Sequence, residues 1–128
     1  MKQQSGFTLI ELVVVIVLLG ILAAAATARF QDLATEARIA AVAGIAGEIA
    51  SGSAINFGAR SVNAANGVAV AGCAASGGLL QQGAVPAGYT VTQVSGCTAP
   101  TGGTAECTVE DDALPLAAIA TYNVICIP

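Results

Sequence analysis

The apolar run from Phe7 to Ala28 is the feature that most constrains how this chain can fold. A run of about 20 such residues is what a helix needs to cross the hydrocarbon core of a membrane. One carboxylate, Glu11, lies inside the run, and a charge in such a segment is costly unless it is paired. Basic residues stand only at the two ends, as Lys2 and Arg29. The chain as written is therefore expected to offer Glu11 no nearby partner.

A cut after Gly6 would supply that partner. It would make Phe7 the amino terminus, a cation about four residues and so about one helical turn from Glu11. Glu11 would then have a use as one half of an ion pair.

Gly6 followed by the sequence F-T-L-I-E, behind a short leader with a lysine, resembles the class III signal of type IV pilins and pseudopilins. The resemblance covers Met1 to about Asp32. It implies that prepilin peptidase cuts after Gly6 and that Phe7 becomes the N-methylated first residue. It also implies that Glu11 pairs with the Phe7 amine of a neighbouring subunit.

The residues that end the apolar run refine the resemblance. The stretch 29–33 and the Ala-rich helix after it look most like the mannose-sensitive haemagglutinin type of type IVa pilin. Many pilins have a proline where this chain has Ala28. Because a proline removes an intrahelical hydrogen bond and kinks the helix, its absence leaves open both the kink and any melting between Gly20 and Ala28 on polymerisation.

Pattern and resemblance together predict an α+β pilin fold, with a long N-terminal helix packed on a small antiparallel sheet of three or four strands. The expected parts are a leader over 1–6, a transmembrane or filament-core helix over 7–29, an amphipathic helix over 30–56 and a globular head over 57–128. Within the head, Gly, Ala, Ser and Asn make 57–88 a connecting loop, with one helical turn at 79–82. The sheet and a disulfide-closed C-terminal loop would occupy 89–128, with strands at 89–94, 104–110 and 120–125.

The amphipathic part of the helix presents two faces at three- and four-residue spacing. One face, with Val42, Ala46 and Ile49, is expected to lie on the sheet. Small residues on the other face would let neighbouring helices approach closely. Two of them are glycines, which a helix can also simply tolerate near its end. The small residues are Ala37, Ala40, Ala41, Gly44 and Gly47.

Four cysteines, all after the helix, are typical of an exported domain with two disulfides, since oxidising compartments allow such bonds. They are Cys73, Cys97, Cys107 and Cys126. Sequence alone leaves three connectivities open, and one bridge with two free thiols is a further alternative. The resemblance to pilins, with their disulfide-closed C-terminal loop, favours the two pairs that are local in sequence, Cys73 with Cys97 and Cys107 with Cys126.

The residue inventory argues against enzymatic and cofactor functions. The chain has no histidine, which disfavours zinc, haem and base-assisted nucleophilic catalysis, so no cofactor, metal or catalytic residue is predicted. The acids 110–112 are interpreted as a solvated turn, with calcium as the alternative. All four basic residues precede position 61, so direct nucleic acid binding by the head is not expected.

The sequence therefore predicts a structural subunit of an extracellular type IV pilus for adhesion, motility or surface contact, and favours the major pilin. Its partners would be copies of itself, prepilin peptidase and the pilus assembly machinery, with the precursor held in the bacterial inner membrane. A type II secretion pseudopilin and a low-copy minor pilin stay open. An ordinary secretory signal cut near Ala26 is a further alternative, but Glu11 and the continuing helical pattern argue against it.

Overall fold

The structure is a computed structural model and describes residues 6–128. Residues 1–5 of the predicted leader, with Lys2, lie outside the described residues. A long helix α1, Leu9–Val62, is followed by a 3-10 helix, Cys73–Leu79. Three strands then follow, β1 Tyr89–Gln93, β2 Thr104–Asp111 and β3 Ile119–Ile125. They form an antiparallel sheet in the order β1-β2-β3, which confirms the predicted α+β fold.

The chain divides into two compact units, Met1–Glu36 and Ala37–Pro128. In the first unit every residue from 6 to 25 is exposed. The first part of α1 is long and apolar enough to cross a membrane, judged by length and composition. The helix is unbroken between Gly20 and Ala28, as expected where no proline interrupts the hydrogen bonds.

Helix α1 continues past residue 56, where the pattern predicted its end, and stops at Val62. Gly58 lies in this added stretch and does not stop the helix, since one glycine costs only about 1 kcal/mol relative to alanine. Arg60 in the last turn complements the negative end of the helix dipole. The helix gives way to a turn at Asn63, whose Oδ1 accepts the Ala65 N–H at 2.9 Å.

The core of the second unit lies between α1 and one face of the sheet. The predicted helix face is correct, because Val42, Ala46 and Ile49 are all buried. From the sheet, alternate residues of β2 enter the same cluster, as the two-residue period of a strand requires. The β2 residues are Ala105, Cys107 and Val109, and β3 adds Tyr122 and Val124.

The connection between α1 and β1 is more ordered than the predicted loop. Its helical turn is not at 79–82 but earlier, at Cys73–Leu79, and Leu80 is buried after it. Val70 pairs with Ile127 through two backbone hydrogen bonds of 2.9 Å. At Gly52 a Cβ would lie 2.6 Å from the Leu79 carbonyl oxygen, so a glycine is what lets this connection lie directly on the helix.

Two disulfides staple the second unit, as predicted, but the favoured pairing is wrong. Cys73 bonds Cys107 and Cys97 bonds Cys126, with Cα atoms 5.8 and 6.0 Å apart. None of the four is free. Sequence-local pairing fails because strand register, not chain separation, decides which cysteines meet.

The first bond follows from the position of Cys107 in the sheet. Cys107 lies inside β2, paired with Gln93 of β1 and Tyr122 of β3. Its side chain enters the core, where the 3-10 helix brings Cys73. The amide oxygen of Gln93 accepts the Cys73 backbone N–H at 3.2 Å and so holds the start of that helix against the sheet.

The second bond follows from a reversal of the chain between β1 and β2. The Thr98 N–H donates to the Thr104 carbonyl at 3.1 Å. Cys126 is hydrogen-bonded to the same reversal, through the Gly103 carbonyl at 2.7 Å and the Gly102 N–H at 2.8 Å. These contacts bring the end of β3 beside Cys97.

Candidate assembly site

The candidate site is the start of α1, where the sequence singled out Gly6, Phe7 and Glu11. Phe7 is 86% exposed. Glu11 lies in the first turn of the helix. An open groove of about 320 Å³ runs along this turn, lined by Phe7, Ile10, Glu11, Val14 and Val15.

Thr8 is a partner of Glu11 that the sequence reasoning missed. Glu11 Oε2 accepts both the Thr8 backbone N–H at 2.9 Å and the Thr8 hydroxyl at 2.7 Å. The Glu11 backbone N–H points back to Thr8 Oγ1 at 3.4 Å. The expectation that the chain offers Glu11 no nearby partner took account of basic residues only and overlooked this neutral one.

These contacts form a capping box, in which an N-cap Thr and a Glu three residues later satisfy the free N–H groups of the first helical turn. The Thr-x-x-Glu spacing was present in the sequence and is the signal that could have identified it. A carboxylate here also faces the positive end of the helix dipole. Glu11 thus has a structural use before any cleavage at Gly6.

The capping box occupies only one oxygen of the Glu11 carboxylate. Both Thr8 bonds end on Oε2, and within residues 6–128 no hydrogen bond reaches Oε1. A carboxylate oxygen offers about two acceptor positions. Oε1 is therefore available to a donor from another molecule while the cap stays intact.

A second polar site lies in the head, at the end of β2. Asp111, predicted to be part of a solvated turn, is instead only 2% exposed. Arg38 Nη1 of α1 lies 3.1 Å from its Oδ1 and 2.9 Å from its Oδ2. Its neighbour Asp112 accepts the Thr90 hydroxyl at 2.6 Å. The turn is thus held to both the helix and β1.

The pKa of Asp111 is held below its ordinary value. The main cause is the Ala113 N–H, which donates to Oδ1 at 2.8 Å, and the Arg38 guanidinium lowers it further against the opposing effect of burial. Asp111 is therefore ionised in the folded head. Within the described residues, no group of three or more acidic or cysteine side chains is arranged to hold a metal ion.

Comparison with known proteins gives matches that cover part of the chain. Residues 1–27 match the family model described as the prokaryotic N-terminal methylation motif. Over 39 residues the chain is 49% identical to fimbrial proteins of Pseudomonas aeruginosa, covering 30% of this chain and 25% of each relative.

Over 53 residues the chain is 52% identical to the type IV narrow pilus major component PilA5 of Thermus thermophilus, covering 41% of this chain and 46% of the relative. The chain thus spans between a quarter and just under half of the length of these curated relatives. No solved structure matches it.

Proposed function

We propose that this chain, which carries the N-terminal methylation motif of type IV pilins at residues 1–27, is a structural subunit of a type IV pilus. Its similarity to fimbrial proteins and to a type IV pilus major component supports a pilin. The observation that carries the proposal is the motif together with the apolar start of α1. Every residue from 6 to 25 is exposed.

Cleavage after Gly6 is the first step of the proposed mechanism. It releases the leader and leaves an amine on Phe7, which is then methylated. Phe7 and the residues around it are exposed, which supports access by a peptidase and a methyltransferase. The precursor stays in the inner membrane through the apolar run, and its cysteine-bonded head lies on the oxidising side.

The second step pairs the Phe7 amine of one subunit with Glu11 of the next. Inside a bundle of apolar helices an unpaired ion is strongly disfavoured, whereas a close pair is much less so. The capping box supports this role, because Thr8 fixes one carboxylate oxygen and leaves Oε1 to accept the amine. Only subunits in the correct axial register would satisfy both ions.

The pairing also determines the kind of assembly. Phe7 of one copy meets Glu11 of another, so the two contacting surfaces differ and the interface is heterologous. A heterologous interface whose rotation does not close produces a helical fibre. Along the outer face of α1, Gly44 and Gly47 have open space where a Cβ would stand, which supports close approach of a neighbouring helix.

The experiment is fibre recovery from cells that produce Glu11 variants. Glu11→Ala should be cleaved after Gly6 normally but should yield few or no sheared fibres. Glu11→Leu tests whether apolar length can replace the charge, and Glu36→Ala is the matched control, since Glu36 is an exposed acid of the same helix outside the apolar run. Normal fibres from Glu11→Ala would contradict the proposed pairing.

Fractionation of a wild-type culture distinguishes a major pilin from a secretion pseudopilin and from a minor pilin. Abundant protein of the mature mass in the sheared fraction supports a major pilin that extends outside the cell for adhesion, motility or surface contact. Confinement to the cell envelope supports a secretion pseudopilin, and a low ratio to another fibre subunit supports a minor pilin. Intact mass reports the cut, the methyl group and the two disulfides in one measurement.

A further inference from the structure

The short loop after α1 contains an asparagine followed by glycine, Asn66-Gly67. Asn66 and Gly67 are both exposed. Within the described residues, the Asn66 side-chain amide takes part in no hydrogen bond, and the Gly67 N–H has no acceptor. The two groups that react with each other in asparagine deamidation, the side-chain carbonyl and the next backbone nitrogen, are thus both unengaged.

Glycine at position 67 is required by the fold. Gly67 has φ +77°, a backbone conformation that side-chain-bearing residues rarely adopt. A Cβ there would also overlap Asn56 Oδ1. Position 67 therefore cannot carry a bulkier residue, which would hinder attack of its backbone nitrogen on the Asn66 side chain.

Asn56 lies close to Gly67, and so excludes a side chain there, because it holds the loop against α1. Its Oδ1 accepts the Val68 N–H at 2.7 Å and its Nδ2 donates to the Val68 carbonyl at 2.8 Å. Asn56 is 8% exposed, so losing these bonds would leave a nearly buried amide unsatisfied. Val68, which makes both bonds to Asn56, directly follows the Asn66-Gly67 pair in the chain.

The other asparagines lack this combination. Asn63, in the same loop, is followed by Ala64, and its Oδ1 is held by the Ala65 N–H at 2.9 Å. Asn56 precedes Phe57 and is held by Val68, and Asn123 precedes Val124 within β3. A residue with a side chain hinders attack by its own backbone nitrogen, so these sites are protected where Asn66 is not.

We propose that Asn66 is a site of spontaneous deamidation and isoaspartate formation in the folded protein. The deprotonated Gly67 nitrogen attacks Asn66 Cγ, the bond from Cγ to the side-chain nitrogen breaks, and ammonia leaves with the proton. Water then opens the resulting succinimide at either carbonyl, giving aspartate or isoaspartate. Either product adds one negative charge to a chain of formal net charge −4.

Isoaspartate has a further effect on the loop. It carries the backbone through the former side chain and so lengthens the chain by one methylene at residue 66, two residues before Val68. The two Asn56 bonds to Val68 are then expected to weaken, and the connection lying on α1 is loosened. Aged subunits would therefore differ from new ones in charge and in the stability of this loop.

The test incubates the purified, folded full-length chain in mildly alkaline buffer and follows the peptide between Phe57 and Leu79 by fragmentation mass spectrometry after reduction and chymotrypsin digestion. That peptide contains both Asn63 and Asn66, so each run carries its own control. We expect a time-dependent mass gain at Asn66 alone, as a mixture of aspartate and isoaspartate, faster at higher pH because the Gly67 nitrogen must lose its proton.

Asn66→Gln is the control variant, because a glutamine would have to close a larger ring, and it should show no such gain over the same time. The same peptide, cut out and incubated free, reports the reactivity of the sequence without the fold. Conversion of the free peptide without conversion in the folded chain would overturn the proposal. Equal conversion at Asn63 and Asn66 would overturn it as well.

Discussion

Arg38 Nη1 lies 2.9 Å from Asp111 Oδ2 and joins the middle of helix α1 to the end of strand β2. The two partners are unequally exposed, since the Arg38 side chain is 49% exposed and that of Asp111 only 3%. The pair is thus formed by an acid held inside the head and a cation that reaches it from the surface. Removal of Arg38 should therefore affect the stability of the head differently from removal of the Asp111 charge.

Arg38→Ala should lower the melting temperature of the head more than Asp111→Asn, because it leaves an ionised, nearly buried carboxylate without its cation. Asp111→Asn removes the charge that needs the partner and retains an acceptor for the Ala113 N–H. Thermal unfolding of the head checks this order. The double variant should lose less than the sum of the two single losses, and strict additivity would show that the pair is not coupled.

The stability of the head should fall in acid because of Asp111. Its pKa is lower in the folded than in the unfolded state, so its contribution is complete above its unfolded value of about 3.9 and is lost as the pH falls through the lower folded value. Denaturant unfolding at a series of pH values below about 4 measures this loss. Asp111→Asn should reduce the slope of the unfolding free energy against pH in this range. An unchanged slope would contradict the assignment of the acid loss to Asp111.

Tyr122→Phe should cost about 0.5–1.5 kcal/mol, the usual value for one hydrogen bond. The Tyr122 hydroxyl lies 3.1 Å from Ser76 Oγ in a buried contact between β3 and the 3-10 helix. Tyr89→Phe is the control, since Tyr89 is part-buried and its hydroxyl makes no bond within the described residues. Equal losses in the two variants would show that the Ser76 contact contributes nothing.

Burial also raises the pKa of Tyr122, against the smaller opposing effect of its Ser76 hydrogen bond. The stabilisation is therefore present below the unfolded value of about 10 and is lost as the pH rises through the higher folded value. Absorbance at alkaline pH should show one tyrosine that ionises late, and that signal should be missing in Tyr122→Phe. The same late signal in the variant would exclude Tyr122 as its source.

Gly44→Ala and Gly47→Ala should separate the stability of the subunit from its assembly. A Cβ at either position meets open space, so each change should stabilise the unassembled subunit by up to about 1 kcal/mol through helix propensity. If a neighbouring helix packs on this face, the same changes should reduce fibre yield. Normal yield would favour the alternative that these glycines are merely tolerated.

Gly52→Ala is the contrasting variant on the same helix. Its Cβ would lie 2.6 Å from a backbone oxygen of Leu79, so the connection must move and we expect a loss of about 1–3 kcal/mol. Denaturant unfolding of the three glycine variants side by side tests the contrast. A stabilised Gly52→Ala would contradict the close approach of the connection to α1.

Thr8→Ala should weaken the start of α1 by about 1 kcal/mol, the usual cost of losing a threonine cap, and should free the Glu11 carboxylate to rotate. Fibre yield should fall, while cleavage after Gly6 continues. Thr8→Ser keeps the hydroxyl and should restore the yield. Equal yields from the alanine and serine variants would show that the cap has no part in assembly.

Much of the fold could be predicted because its signals are local and repeated. The long helix and three strands follow from apolar spacing and β-branched content, and the buried face of α1 follows from Val42, Ala46 and Ile49. The capping box was equally local, as Thr8 and Glu11 stand at the required spacing. The roles of Gly6, Phe7 and Glu11 in cleavage and assembly stay predictions.

What could not be predicted depends on contacts between distant residues. Whether Asp111 is a solvated acid or a buried one depends on where β2 ends relative to Arg38, which lies 73 residues earlier in the chain. The cysteine pairs depend in the same way on the register that places Cys107 opposite Tyr122. Spacing along one segment carries no information about either.

The two disulfides overlap along the chain, because Cys97 lies between Cys73 and Cys107 while its partner Cys126 lies beyond them. A protease that cuts once anywhere between residues 73 and 126 therefore leaves both fragments joined by at least one sulfur bond. With sequence-local pairs, one cut between residues 97 and 107 would have released the C-terminal piece. A single nick in this part of the head therefore leaves all of the chain covalently attached.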